Sequence, residues 1–130
     1  MAEGLKPLPL DVPEPKWDSF DPRRFVLDYD KDTDIMYVRH AQPRPGTNID
    51  ISEEVWLRIE PETGEILGFE IDDFELVFLK RHPELAALWK DVRPKATAER
   101  VAFVISVFLE FLKSLAGPHP QQPRLQPHAS

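Results

Sequence analysis

A chain of 130 residues, 42% of them apolar, is long enough for one compact core and too short for two. It contains no cysteine, which excludes thiol catalysis, thiolate zinc sites and iron–sulfur clusters and fits a reducing compartment. Sixteen basic against 23 acidic residues give a formal charge of −7, and the tightest basic groups, Arg23-Arg24 and Lys80-Arg81-His82, are too short to neutralise many phosphates, so no nucleic-acid partner is expected.

The first ten residues hold one lysine and are broken by Pro7 and Pro9, so they lack the apolar run of a signal peptide and predict a cytoplasmic protein. Residues 1–22 carry five prolines, a density that blocks helix propagation and strand pairing, and are expected as an extended arm. Trp17 and Phe20 give that arm apolar side chains to lay on the folded body. Fourteen prolines in all, two methionines and the single Asn48 resemble the composition of a thermophile protein.

Arg24 to Asp30 and Ile35 to His40 are β-prone runs joined by Lys31-Asp-Thr-Asp34, whose short polar side chains favour a turn, so they read as a hairpin. Glu54 to Glu60 alternates, with Val55, Leu57 and Ile59 on one face and Trp56, Arg58 and Glu60 on the other. Pro61-Glu-Thr-Gly64 supplies a turn, with glycine at the left-handed position. Glu65 to Ile71 returns as a fourth strand, with Leu67, Phe69 and Ile71 expected on the core face and Gly68 opposite, where a neighbour such as Trp56 can lie over the bare backbone.

Near Asp72 the period changes from two to 3.6. Asp72-Asp73 are suited to cap a helical segment from Phe74 to His82, and Pro83 begins a second through Trp89. Thr97 is the expected N-cap of a last helix that ends at Ala116, before Gly117-Pro118. Residues 117–130, with four prolines and little apolar content, are expected as a disordered tail. The fold class is therefore α+β: a four-stranded antiparallel β-meander (residues 24–72) followed by two or three helices packed on one face (73–116), together one domain over 23–116.

On the last helix Val101, Val104, Ile105, Phe108, Phe111, Leu112 and Leu115 form a core stripe. Phe103, Val107 and Leu109 fall outside it, which predicts a surface covered by a second copy or a protein partner. At about half the length of a bilayer span, and containing Glu110, the apolar run Val101 to Leu112 is not a membrane helix, and no membrane partner is expected. On the outer sheet face Val26, Tyr37, Trp56 and Ile66 are expected beside Gly68, either roofed by the arm through Trp17 or Phe20 or open as a binding patch.

No catalytic constellation is legible. Asp28-Tyr-Asp30-Lys-Asp32-Thr-Asp34 resembles the start of a calcium loop, but the sixth residue is Thr33 and the twelfth Arg39, where such a loop needs glycine and glutamate. Glu53-Glu54, Glu70 and Asp72-Asp73 show no convergence of the kind acid–base catalysis requires. The four histidines have no helical metal-ligand spacing, and no nucleophile elbow or phosphate loop is present. No catalytic, cofactor-binding or metal-binding residue is assigned, and no cofactor is expected. The interface candidates are Phe103, Val107, Leu109, Trp56 and Tyr37.

Tyr29-Asp30, Asp34, Tyr37-Val38, Glu54-Val55, Gly64 and Ile66-Leu-Gly68-Phe-Glu70-Ile71, within residues 24–75, resemble the bacterial family known as domain of unknown function 2283. The resemblance implies a small stand-alone intracellular protein, a β-meander with a following helix, no catalytic residue, and for some relatives the role of an antitoxin. The leading expectation is a homo-oligomerising or partner-binding module, most simply a homodimer, without catalytic activity. The alternatives are a small hydrolase or divalent-cation-binding protein using Asp30, Asp34, Glu70 and Tyr37, and an antitoxin-like inhibitor of a partner protein.

Overall fold

The computed structural model describes residues 13–92 and 97–116. Five antiparallel strands, β1 (Phe25–Asp30), β2 (Ile35–His40), β3 (Thr47–Ser52), β4 (Val55–Ile59) and β5 (Ile66–Ile71), form one sheet in the order β1-β2-β5-β4-β3. A helical run covers one face. It opens with a π-helical turn at Phe74–Phe78 and continues through α1 (Leu79–Arg81), α2 (Pro83–Val92) and α3 (Ala98–Ala116). The α+β class is as expected.

The sheet has one strand more than expected and is not a simple meander. The additional strand, β3, has only two buried apolar residues, Ile49 and Ile51, alternating with exposed Asn48 and Asp50, which is the pattern of an edge strand with one wet face. The chain leaves β2 through residues 41–46, passes the ends of β4 and β5 and enters the sheet at its far edge. Gly46 permits that passage, since a Cβ there would lie 2.8 Å from Leu67 Cδ1 and 2.9 Å from the Ile59 carbonyl oxygen. β5 consequently becomes the central strand, with β2 on one side and β4 on the other.

The register breaks between Arg58 and Ile59 opposite β5. This bulge, with Gly68 at φ +154°, interrupts the alternation, so Ile66 joins the core cluster and Leu67 does not. The expected assignment of those two residues is thereby reversed. Gly68 stands opposite Arg39 and Arg58 rather than under Trp56, and a Cβ there would collide with the carbonyl oxygen of Val38.

The core lies between the sheet and the helices. Met36, Val38, Val55, Leu57, Phe69 and Ile71 from the strands meet Phe74, Phe78, Trp89, Ile105, Phe108 and Leu112. Phe74 packs edge-on to Trp89 at 4.9 Å and lies 5.9 Å from Phe108, so the helical run and α3 share one aromatic centre. Thr97 caps α3 as expected, accepting from Arg100 N–H at 3.0 Å.

Asp72-Asp73 do not cap the first helical segment. Asp34, in the β1–β2 turn, does so from about forty positions away. Its carboxylate accepts from Glu75 N–H at 2.8 Å and Leu76 N–H at 3.0 Å, and its carbonyl accepts from Phe74 N–H at 2.9 Å. These are the orphan donors of a helix start. Arg81 ties down the end of that first helical segment by bridging Glu54 at 2.5 Å and Glu53 at 3.3 Å.

Of the expected arm, residues 13–22 are described, and they turn twice, at Trp17–Ser19 and Pro22–Arg24. Lys16 N–H donates to the Gly64 carbonyl at 2.9 Å. Trp17 and Phe20 pack against the helix-side core, with Phe20 stacked on Phe25 at 4.3 Å, so they do not roof the outer sheet face. The remainder of the expected arm, residues 1–12, and the expected tail, residues 117–130, lie outside the described residues.

The apolarity of α3 is met largely within the chain, by the sheet, by α2 and by the Pro22–Arg24 turn. Leu109, expected at an interface, is 4% exposed and belongs to the core cluster. Val107 is partly buried against the same core. Phe103 is 49% exposed, with the Arg100 guanidinium 5.1 Å from its ring centre. Among the described residues no helix is long and apolar enough to cross a membrane.

Candidate functional site

The two faces of the sheet differ in character. Strand alternation sends Phe25, Leu27, Tyr29, Met36 and Val38 toward the helices, and Val26, Asp28, Tyr37 and Arg39 away from them. On the outer face the registers align one residue from every strand. Asp28 pairs with Tyr37, Tyr37 with Glu70, Glu70 with Trp56, and Trp56 with Asp50. The row therefore reads acid, aromatic, acid, aromatic, acid, with neighbouring Cβ atoms about 4.5–5.5 Å apart.

A second row lies alongside: Val26, Arg39, Gly68, Arg58 and Asn48. Arg39 donates to Asp28 at 3.0 Å and Arg58 to Asn48 at 3.4 Å, which turns both guanidinium groups toward the sheet edges. Between them the bare backbone of Gly68 leaves the floor low. The resulting depression, of about 150 Å³, is lined by Tyr37, Arg39, Trp56, Arg58, Glu70 and Asn48, with Val38 and Phe69 beneath. Every residue lining it belongs to the sheet. Trp56 is 36% exposed at its rim.

Glu70 occupies the centre of the row. Burial between the two rings pushes its carboxyl up, and the Asp72 carboxylate raises it further by bonding to the protonated form and repelling the charged one, so that the pKa reaches about 7. Asp72 Oδ1 is buried without a hydrogen-bond donor, which fits a proton held between the two carboxyls. With the proton the row's centre is neutral; without it Glu70 adds a negative charge between two aromatic residues.

The structure thus brings Tyr37, Trp56 and Glu70 together with Asp28 and separates them from Asp30 and Asp34 of the acidic hairpin. Asp34 points to the helical side, accepting from the Tyr29 hydroxyl at 2.7 Å as well as from the helix-start amides. Burial pushes its pKa up, but the Glu75 amide, the Tyr29 hydroxyl and the Leu76 amide together outweigh that and hold it below the ordinary value. Asp30 accepts from Asp32 N–H at 3.0 Å as a turn former. The four residues of the cation or hydrolase alternative do not converge, and among the described residues no group of three or more acidic or histidine side chains is arranged to hold a metal ion. His40 packs on Phe25, and His82 lies between Phe78 and Phe111, so both have structural positions.

Sequence alternation placed Tyr37 and Trp56 on the outer face but did not reveal Glu70 between them. The register of β5 against β2 and β4 decides that, and it depends on the crossing of residues 41–46. The strand that contributes Asp50 was not expected.

The segment that builds this face is the one that matches a known family. Residues 27–74 match the family described as protein of unknown function (DUF2283). The DUF2283 segment runs from within β1 to the first residue of the helical run and includes all five residues of the acid–aromatic row. α2 and α3 lie outside it. No curated protein and no solved structure matches the chain.

Proposed function

We propose that the chain is a binding module without catalytic activity, whose outer sheet face receives a basic segment of a partner protein. The observation that carries this reading is the row Asp28–Tyr37–Glu70–Trp56–Asp50. Each aromatic ring stands between two carboxylates, an arrangement suited to lysine or arginine side chains, which combine attraction to a π-face with charge-assisted hydrogen bonding. The overall charge of −7 favours the same class of partner and speeds its approach.

The twisted face with its shallow floor suits an extended segment more than a compact small molecule. An antitoxin-like inhibitor is one form of this function, in which the basic segment belongs to the protein being inhibited.

The test is a binding isotherm with a short arginine-rich peptide and, as control, a glutamate-rich peptide of equal length. Saturable binding of the basic peptide that weakens at least tenfold in Trp56→Ala supports the reading. Equal binding of both peptides, or binding indifferent to Trp56→Ala, contradicts it.

A further inference from the structure

The row Asp28–Tyr37–Glu70–Trp56–Asp50 has a direction and a repeat. Tyr37 on β2 and Trp56 on β4 both pair with Glu70, so their Cβ atoms lie on one line across the strands, two strand spacings or about 9.5 Å apart. The neighbouring charges confine a cationic segment to that line. Two residues on from the rings, on the same face, stand Arg39 and Arg58. A basic segment laid parallel to either strand would meet one ring and carry its next cation onto a guanidinium. Laid across the strands, it meets both rings and a carboxylate on each side of each ring.

Both rings also hold unused donors. Among the described residues neither the Tyr37 hydroxyl nor the Trp56 indole N–H donates a hydrogen bond. On the helix side, by contrast, Tyr29 donates to Asp34 at 2.7 Å and Trp89 to Glu75 at 3.0 Å. A surface tyrosine or tryptophan offers a flat apolar body with one polar tip, which a partner's backbone carbonyl can satisfy.

Regular backbones meet these requirements unequally. A β-strand repeats on one face every two residues, about 6.7 Å, and needs a neighbouring ladder for its amides, which the face of a paired sheet does not offer. An α-helix returns to one face in register only after seven residues, about 10.5 Å, and its carbonyls are occupied by its own hydrogen bonds. Polyproline II returns to one side every three residues, about 9.3 Å, keeps every carbonyl free and needs no ladder.

We infer, on the basis of the proposed docking of a basic segment, that this segment is a polyproline-II stretch with basic residues at positions i and i+3, lying across the strands with one cation at Tyr37 and the other at Trp56. The two residues between the cations face away from the sheet, where proline is tolerated and holds the conformation before binding. Glu70 stands between the two cation positions. Asp28 is shared with Arg39 at 3.0 Å, whereas Asp50 has no ion-pair partner among the described residues, which makes the Trp56 position the stronger of the two.

The test is a set of proline-rich peptides of one length and composition, each with two arginines, at i and i+2, i and i+3, or i and i+4, titrated into the full chain by calorimetry. In polyproline II only the i, i+3 peptide presents both arginines on one side, and it is expected to bind about fivefold more tightly than the other two. In Tyr37→Ala one cation position remains, and the three affinities are expected to converge to within about twofold. Equal affinities in the wild type that still fall in Trp56→Ala would leave the basic-segment reading standing and overturn the spacing. A preference that survives Tyr37→Ala would overturn it too, as would tighter binding of an alanine-rich helical peptide with arginines seven apart. Absence of binding by every peptide would overturn both readings.

Discussion

Glu70 lies directly across the strand pair from Trp56, on the face of the sheet turned away from the helices. The relationship joins the one strongly perturbed carboxyl among the described residues to one of the four exposed large hydrophobic residues. Tyr37 flanks Glu70 from the other side.

Binding of a basic peptide is expected to depend on pH through Glu70. The carboxylate attracts a cation and the neutral acid does not, so affinity rises as pH increases through about 7. Titrations at roughly pH 6 and roughly pH 8 should differ by a few-fold in the wild type and by much less in Glu70→Gln, which resembles the protonated state throughout. A wild-type affinity that falls with rising pH would refute the role of Glu70.

Glu70 should also be visible in stability. Its folded pKa is raised from 4.5 to about 7, so the folded state binds the proton more tightly than the unfolded chain. The associated stabilisation is fully present below the unfolded pKa and is lost as pH rises through about 7. Denaturant midpoints should therefore fall between about pH 4.5 and pH 7 by an amount on the order of 1 kcal/mol, less than the full shift implies because the side chain keeps some solvent contact. Glu70→Gln should flatten that slope.

Asp34 predicts the opposite trend at lower pH. Its depressed pKa contributes stability that is present above the unfolded value of 3.8 and is lost as pH falls through the folded value. Asp34→Ala removes a cap that holds two helix-start amides and the Tyr29 hydroxyl, and should cost about 2 kcal/mol in equilibrium unfolding. Asp73→Ala, whose side chain makes no capping bond, should cost far less.

Gly68→Ala should be among the most damaging small substitutions. It adds a Cβ against the Val38 carbonyl at φ +154°, a conformation L-residues rarely adopt, and should cost about 2 kcal/mol or more by thermal unfolding.

The helix residues once suited to an interface should behave differently from one another. Leu109→Asp places a charge in the core and should prevent folding, whereas Phe103→Ser should leave circular dichroism, melting temperature and solution mass unchanged within about 0.5 kcal/mol. A change of mass in Phe103→Ser would identify α3 as an assembly surface.

Local pattern was sufficient for the α+β class, the β1–β2 hairpin, the Pro61–Gly64 turn and the Thr97 cap, because each depends on residues within a few positions of one another. Contacts between distant residues were not legible. Asp34 displaces Asp72-Asp73 as the cap because the hairpin turn folds back onto the helix start, a contact no short window contains. Leu109 joins the core although it lies off the helix's apolar stripe, because α3 is packed by α2 and the Pro22–Arg24 turn as well as by the sheet. The assignment of Ile66 and Leu67 reversed because a bulge shifts alternation by one residue. For the candidate site, alternation gave the face of Trp56 and Tyr37, but only the register supplies Glu70 between them.

The most direct test of the central claim is to follow backbone amide signals by NMR while an arginine-rich peptide is added. Saturable shifts concentrated at Tyr37, Arg39, Trp56, Arg58 and Glu70, and lost in Trp56→Ala, are the predicted result. Shifts spread evenly over the acidic surface, or confined to the helices, would contradict the assignment of this face as the binding site.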